Sequence, residues 1–423
     1  MTDLYNGNRE LSETRSYFYL SYAHAPPLED DQLADPDENV REFFDDLAMA
    51  VSRHASPGSG LAPGFFDKDI PVSSDWRESL SQALNTAEVF VPLYSPGYVA
   101  RSWPGREWAC FYERMIQVGL RSPRQRFVPV LWSPIRGQHE PPDLDAALAA
   151  GASVSEYEKS GLLALLTINQ YHDSYHRIVN KLAKKVVALA EGPPLAPSRV
   201  LDIDRMKRPF GPDTPLAVFA LAVAAPTRGT VPVGGDPDRY TDSHTGWRPF
   251  PGQKLTLAEY ARQAAERLDF EVEFTSLEEI CDPVTGKPGI VLIDPWFIAE
   301  AGQRAALKST LEGLPRWVLP LLVHGPPADP QSRRLAMQVK DMLRGAGALP
   351  AESSRRASRS VSSLEAFAAV VPALVAEAER RYLRHGGGYV PLAQPGGRLR
   401  LRDAPRPETP DSAPQPAGDT PDA

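Results

Sequence analysis

Apolar and polar positions fall into two long blocks in which strand-like and helix-like runs alternate. The first opens at residues 17–21, Tyr-Phe-Tyr-Leu-Ser, a short aromatic and aliphatic run bounded by polar residues, which predicts a strand. Val40, Phe43, Phe44, Leu47 and Val51 then recur at helical spacing. Residues 64–67 (GFFD) predict a second short strand. A polar loop, 68–75, leads into a helix with Trp76, Leu80, Ala83, Leu84 and Ala87 on one side. Residues 88–94 (EVFVPLY) predict a third strand and 126–132 (RFVPVLW) a fourth. Between them lies a helix over 106–118, with Phe111, Met115 and Val118 inward. A helix over 174–190 closes the block, with Tyr175, Ile178, Val179, Leu182 and Val186 in register.

The second block repeats the logic. Residues 216–225 are wholly apolar, as expected of a strand covered on both faces. An irregular insertion, 226–254, carries Trp247. Helix 257–268, strands 270–275 and 289–294, helix 300–314, strand 316–324 and helices 331–344 and 364–382 follow. Short joints between alternating strands and helices predict an α/β fold with a doubly wound parallel sheet in each half. The order of elements is similar in the two halves, without a residue-level repeat. Gly192-Pro-Pro-Leu-Ala-Pro-Ser198 marks the joint. The last 20 residues hold six prolines and no aliphatic larger than alanine, too little to offset chain entropy. The expected organisation is a disordered N-terminus (1–15), a first α/β domain (16–191), a linker (192–209), a second α/β domain (210–384) and a disordered Pro-rich tail (385–423). The serine–arginine run at 352–363 reads as a solvated loop.

Composition narrows the classes. At 423 residues the chain has room for two or three domains. Forty-six Lys and Arg against 54 Asp and Glu leave a net charge of −8, a poor basis for gripping duplex nucleic acid. Two cysteines, Cys110 and Cys281, exclude a disulfide scaffold and a four-cysteine zinc site, and suit a reducing compartment. The first 16 residues lack the apolar core of a secretory signal. The longest apolar run, 216–225, is half of the ~20 residues a spanning helix needs. A soluble cytoplasmic protein without membrane association is expected.

Several kinds of site are missing. There is no G-x-x-x-x-G-K-[ST] loop, and the first strand ends in Ser-Tyr-Ala-His24 rather than G-x-G-x-x-G. His172 and His176 have one-face metal spacing but no evident third ligand, so no metal is expected. In the second half, Asp294-Pro-Trp296 and His324-Gly-Pro-Pro327 stand at strand ends, where α/β sheets bind ligands. Asp294 suits a helix cap equally well. No acid/base pair accompanies these residues, and an interaction domain is the reading.

Residues 17–108 carry the informative constellation: Ser21-Tyr22-Ala23-His24 after the first strand; Lys68-Asp69-Ile70-Pro71 before a helix led by Trp76; and Ser95-Pro96-Gly97-Tyr98 followed by Ser102-Trp103-Pro104-Gly105-Arg106-Glu107. In this order, at strand ends, they resemble the three boxes of the TIR domain (the Toll/interleukin-1 receptor type), over residues 16 to about 190. Two positions depart from that pattern: Pro104 stands for the cysteine of W-C-x-x-E, and Val72 for the glycine after the loop proline. The chain also resembles a narrower family, the TIR-like FxsC proteins found beside FxSxx-COOH peptide systems. That resemblance rests on residues 219–226 (FALAVAAP), the 247–251 run and LAEYARQAAERLDFEVEF. It implies a TIR-like (flavodoxin-like) N-terminal parallel-sheet domain and a second, diverged α/β TIR-like domain.

Some TIR domains cleave the nicotinamide–ribose bond of NAD, which needs a carboxylate beside a developing ribosyl cation. The resemblance maps that carboxylate onto Glu107. Tyr22 and Phe66 are candidates to stack nicotinamide, and Lys68, Arg101 or Arg106 to meet pyrophosphate. Trp76 is a further candidate for the substrate wall, with core or interface packing the plainer role for it and Trp103. A glutamate in a helix's first turn also needs no substrate, because the dipole favours it. Lys68 and Asp69 serve either a site or a solvated loop, and His24 reads as a strand-end histidine rather than a base. Two functions are therefore carried forward. The first is a non-enzymatic signalling or scaffold protein without a cofactor, binding other TIR-like or regulatory proteins, or itself. The alternative is an NAD glycohydrolase using Glu107, switched on by assembly.

Overall fold

The computed structural model describes residues 15–25, 35–136, 140–193, 195, 198–211, 215–282, 286–325, 330–346 and 361–386. The expected disorder at residues 1–14 and 387–423, and the serine–arginine run at 352–360, lie outside the described residues.

The first half is built on a parallel sheet. β1 (Ser16–Ser21) pairs with β2 (Ala87–Tyr94) from Ser16↔Ala87 to Ser21↔Pro92, and β2 pairs with β3 (Val130–Leu131). On the free side of β1 the run expected as a strand at 64–67 lies parallel, joined by bridges at Ser16↔Ala62 and Tyr19↔Phe65. The backbone hydrogen bonds to β1 come from Ala62 and Phe65, three residues apart, so bridges stand in place of a ladder. Gly64 lets this run close on β1, since a Cβ there would sit 2.5 Å from the Phe18 ring. The fourth strand, expected over 126–132, keeps two ladder residues and a bridge at Phe90↔Phe127. The order across the sheet is the 62–65 run, β1, β2, β3, so that the second run in the chain lies outside the first.

α1 (Glu38–His54), α2 (Trp76–Thr86), a short α3 (Pro96–Ala100) and α4 (Ser102–Gln117) connect these strands. α5 (Leu144–Ala150), α6 (Ser155–Thr167) and α7 (His172–Ala190) follow. Asp75 caps α2 by accepting from the amides of Arg77 and Glu78, and Ser95 caps α3 through Tyr98. α4 begins four residues before the expected start. Pro104 sits in its first turn, where a missing N–H costs no helical hydrogen bond.

The second half is a parallel sheet with the same order. β4 (Ala217–Ala224) is flanked by β5 (Phe270–Phe274) and β6 (Gly289–Ile293), and β6 by β7 (Val318–Leu322). Val361 extends the sheet by one bridge to Val323. Alternation along β4 divides its sides. Phe219, Leu221 and Val223 enter one core with α8 (Leu257–Arg267) and α11 (Leu364–His385). Ala220, Ala222 and Ala224 enter the other with α9 (Ala301–Gly313) and α10 (Pro330–Gly345). The insertion is part of the first of these cores, contributing Tyr240, Trp247 and Phe250.

The halves meet through α2, the start of α4 and the C-terminal end of α8. Arg77 pairs with Glu266, Arg267 lies over the Trp76 ring, and Asp269 receives the Ser102 amide. The described residues up to His385 form one compact unit.

Candidate functional site

At the carboxyl end of β1 the chain delivers Tyr22 and His24. His24 is clamped: Nδ1 lies 3.1 Å from Asp37 Oδ2, and Nε2 lies 2.8 Å from Asp67 Oδ2. The Tyr22 hydroxyl donates to Asp67 at 2.9 Å, and the Ala25 amide donates to Asp37 at 3.0 Å. Lys68 bridges Asp37, at 3.0 Å, and Asp35. Burial opposes charge on the His24 ring, but Asp67 and Asp37 outweigh it and raise its pKa to about 9. Burial also works against the Asp67 carboxylate. The His24 charge, Arg267 and the Tyr22 hydroxyl nonetheless hold it well below the usual range. His24 is thus an imidazolium locked between two carboxylates, without a free nitrogen for proton transfer.

Glu107 lies beneath this clamp. It is only 8% exposed. The Ser21 hydroxyl donates to its Oε2 at 2.5 Å, and the Tyr98 hydroxyl is 2.9 Å from the same Ser21 oxygen. Burial is the main reason its pKa rises to about 7, with the Asp67 charge adding and the Ser21 hydrogen bond opposing. Because α4 starts at Ser102, Glu107 sits past the first turn, which contains no acid. The dipole argument for a first-turn glutamate therefore loses its footing, and the raised pKa agrees with that.

The start of α4 is covered. Its N-cap residue, Arg101, offers no side-chain cap. The Asp269 carboxylate takes that place from the second half, accepting from the Ser102 amide at 2.9 and 3.1 Å. Asp269 adopts φ 74° in doing so. A side chain at position 105 would meet Arg208 Cβ at 2.7 Å, so Gly105 admits the linker. Phe210 packs 6.0 Å from both the Tyr98 and Trp108 rings.

A cleft of about 660 Å³ opens beside this cluster. One wall is His24, Asp37, Asp67, Lys68, the 70–74 loop and Trp76; the other is the face of α8 carrying Gln263 and Arg267, with residues 367–373 of α11. Of the residues singled out from sequence, Lys68 and Trp76 line the cleft. Tyr22 and Phe66 are buried behind it, their rings stacked 5.5 Å apart. Arg106 lies with its guanidinium 5.1 Å over Trp103, and Trp103 meets Trp76 edge-on at 4.7 Å. Glu107 and Arg106 are not in the wall. Sequence reading passed over Asp37, Asp67 and Arg267. The adjacency of Asp67 to Phe66 at a strand end was the available signal for the second of these; Arg267 left none.

In the second half Asp294 is buried, accepting from Tyr240 Oη at 2.6 Å and the Trp296 amide at 3.0 Å. It caps the turn Pro295–Ala299, and burial pushes its pKa up to about 7. Among the described residues no three His, Cys, Asp or Glu side chains are grouped to hold a metal ion. No helix there is long and apolar enough to cross a membrane.

These features fit a TIR domain. Residues 18–166, from β1 through nearly all of α6, match the TIR domain family model. That span contains His24, Asp67, Trp76 and Glu107, whereas Gln263, Arg267 and Asp269 lie beyond it. No curated protein matches the chain.

Proposed function

We propose that this protein is a non-enzymatic signalling or scaffold protein whose TIR domain binds another protein. The observation that carries this reading is the enclosure of Glu107. Its carboxyl is engaged by Ser21, stands outside the cleft wall, and belongs to a helix whose start is capped by Asp269 of the second half. A carboxylate that steadies a ribosyl cation must touch the ribose, and this one touches protein. The second half is read as a diverged TIR-like interaction domain, supported by its matching strand order. The cytoplasm is the proposed compartment.

The resemblance to FxsC proteins suggests partners within an FxSxx-COOH peptide maturation system. Mixing the purified protein with each protein of such a system and measuring mass by light scattering tests this. A defined complex with one of them is expected; failure with all of them contradicts the assignment of partners.

The second reading, an NAD glycohydrolase using Glu107, is favoured by one observation: a carboxyl raised to about 7 by burial beside Ser21 and Tyr98. It requires the Glu107 carboxyl to part from Ser21 and to open to the cleft before NAD can reach it.

A further inference from the structure

The second sheet has one bare edge. Its order is β5, β4, β6, β7, and β7 is bridged on its far side through Val323 and Val361. Among the described residues no strand or bridge pairs with the far side of β5. β5 runs in register with β4 from Ala217↔Phe270 to Leu221↔Phe274, and the Thr275 amide donates to the Leu221 carbonyl at 3.1 Å. Backbone groups alternate between the two sides of a strand. Those of Glu271 and Glu273 therefore turn towards β4, and those of Val272 and Phe274 turn out. Among the described residues no backbone hydrogen bond from outside the sheet reaches Val272 or Phe274.

The side chains divide this edge by face. Phe270 is buried and Val272 half-buried in the core with α8, while Phe274 is 44% exposed. Glu271 and Glu273 stand on the opposite face and are exposed, and Lys287 Nζ answers Glu273 at 2.5 Å. The acidic character runs on: from Asp269 to Asp282 the chain has six carboxylates and neither Lys nor Arg. Two such edges do not suit one another, because β5 against β5 of a second copy sets glutamate beside glutamate. A strand that fits carries cations beside Glu271 and Glu273 and an apolar side chain beside Phe274. With a period of two, that means Arg or Lys alternating with aliphatic residues.

We propose that the outer edge of β5 accepts, as an added strand, an extended segment of a partner protein in which Arg or Lys alternates with aliphatic residues. The outward backbone of Val272 and Phe274 supplies affinity; Glu271, Glu273 and Phe274 supply the choice of sequence. This rests on reading the second half as an interaction domain, names the chemistry of what it binds, and is independent of Glu107. Residues 398–402 of this chain read Arg-Leu-Arg-Leu-Arg and are the competing occupant. That run stops at Asp403, whereas the carboxylates continue past β5 to Asp282, so a longer basic segment from a partner matches more of the acidic stretch.

Fluorescence anisotropy of a labelled peptide, Arg-Leu-Arg-Leu-Arg-Leu-Arg, titrated with the full chain tests this. One control holds the same residues in two blocks, Arg then Leu. Two others carry N-methyl groups on one or the other alternate set of amides. Saturable binding of the alternating peptide is expected, with the block peptide about tenfold weaker. Methylation of one set should abolish binding and of the other leave it, the signature of pairing along one strand edge. Glu271→Gln and Glu273→Gln, both at exposed positions, should each weaken binding about two- to fivefold, and Glu271→Arg with Glu273→Arg should abolish it. No saturable binding, equal binding of the block peptide, equal effects of the two methylated sets, or undiminished affinity in the double Arg variant overturns the proposal. Binding that appears only when Arg398, Arg400 and Arg402 are replaced by serine assigns the edge to the chain's own run and overturns a partner. The peptide reads the β5 edge alone and light scattering reads the whole protein, so failure here is distinguishable from failure of the proposed function.

Discussion

Glu107→Gln isolates the cost of holding a carboxylate in the closed pocket. The glutamine keeps an acceptor for the Ser21 hydroxyl and removes the charge. The carboxyl pKa rises from the ordinary 4.5 to about 7 in the folded chain, a difference worth roughly 3 kcal/mol. A raised carboxyl costs nothing below the unfolded value, where both states are protonated. The cost builds between 4.5 and about 7, and is constant above that. Denaturant unfolding at about pH 8 should therefore show Glu107→Gln more stable than the parent by up to about 3 kcal/mol, with the advantage shrinking towards about pH 5. A difference independent of pH, or a variant less stable at the higher pH, would refute the reasoning, because either means that the native carboxylate is solvated.

Two further predictions follow from the same cluster. The His24 clamp has the opposite sign. Its pKa rises from 6.5 to about 9, so its stabilisation, up to about 3 kcal/mol, is complete below the unfolded value and lost as pH rises through about 9; unfolding followed above about pH 7.5, where Glu107 has finished titrating, should show this decline in the parent and not in His24→Gln. Asp269→Ala removes the cap on α4 and should cost about 1 kcal/mol, with faster amide hydrogen exchange at residues 102–105 as the local readout.

Strand and helix periodicity carried most of the fold, because β1, β2, β4, β6 and β7 are short apolar runs with polar borders. It overextended the strands at 64–67 and 126–132, where isolated bridges and a two-residue ladder stand in place of full strands. α5 and α6 escaped the reading because α5 has only seven residues and α6 is broken. Gly161 takes φ 78° within it, and a Cβ there would lie 2.5 Å from the Trp132 carbonyl oxygen. The TIR-like boxes located the site region, but not which of its residues face solvent. Glu107 is held by a residue remote in sequence, Ser21, 86 positions away, and the start of its helix by Asp269, 167 positions from the Ser102 it caps. The cleft is equally non-local, since its two walls belong to different sheets. No spacing within 17–108 encodes what residues 208–210 and 263–269 cover.

The most direct test of the central claim is nicotinamide release from NAD by the purified full chain at high concentration, alone and with a crowding agent, beside Glu107→Ala. An enclosed Glu107 predicts no release above background and no difference between parent and variant. Release that depends on Glu107 would contradict the account.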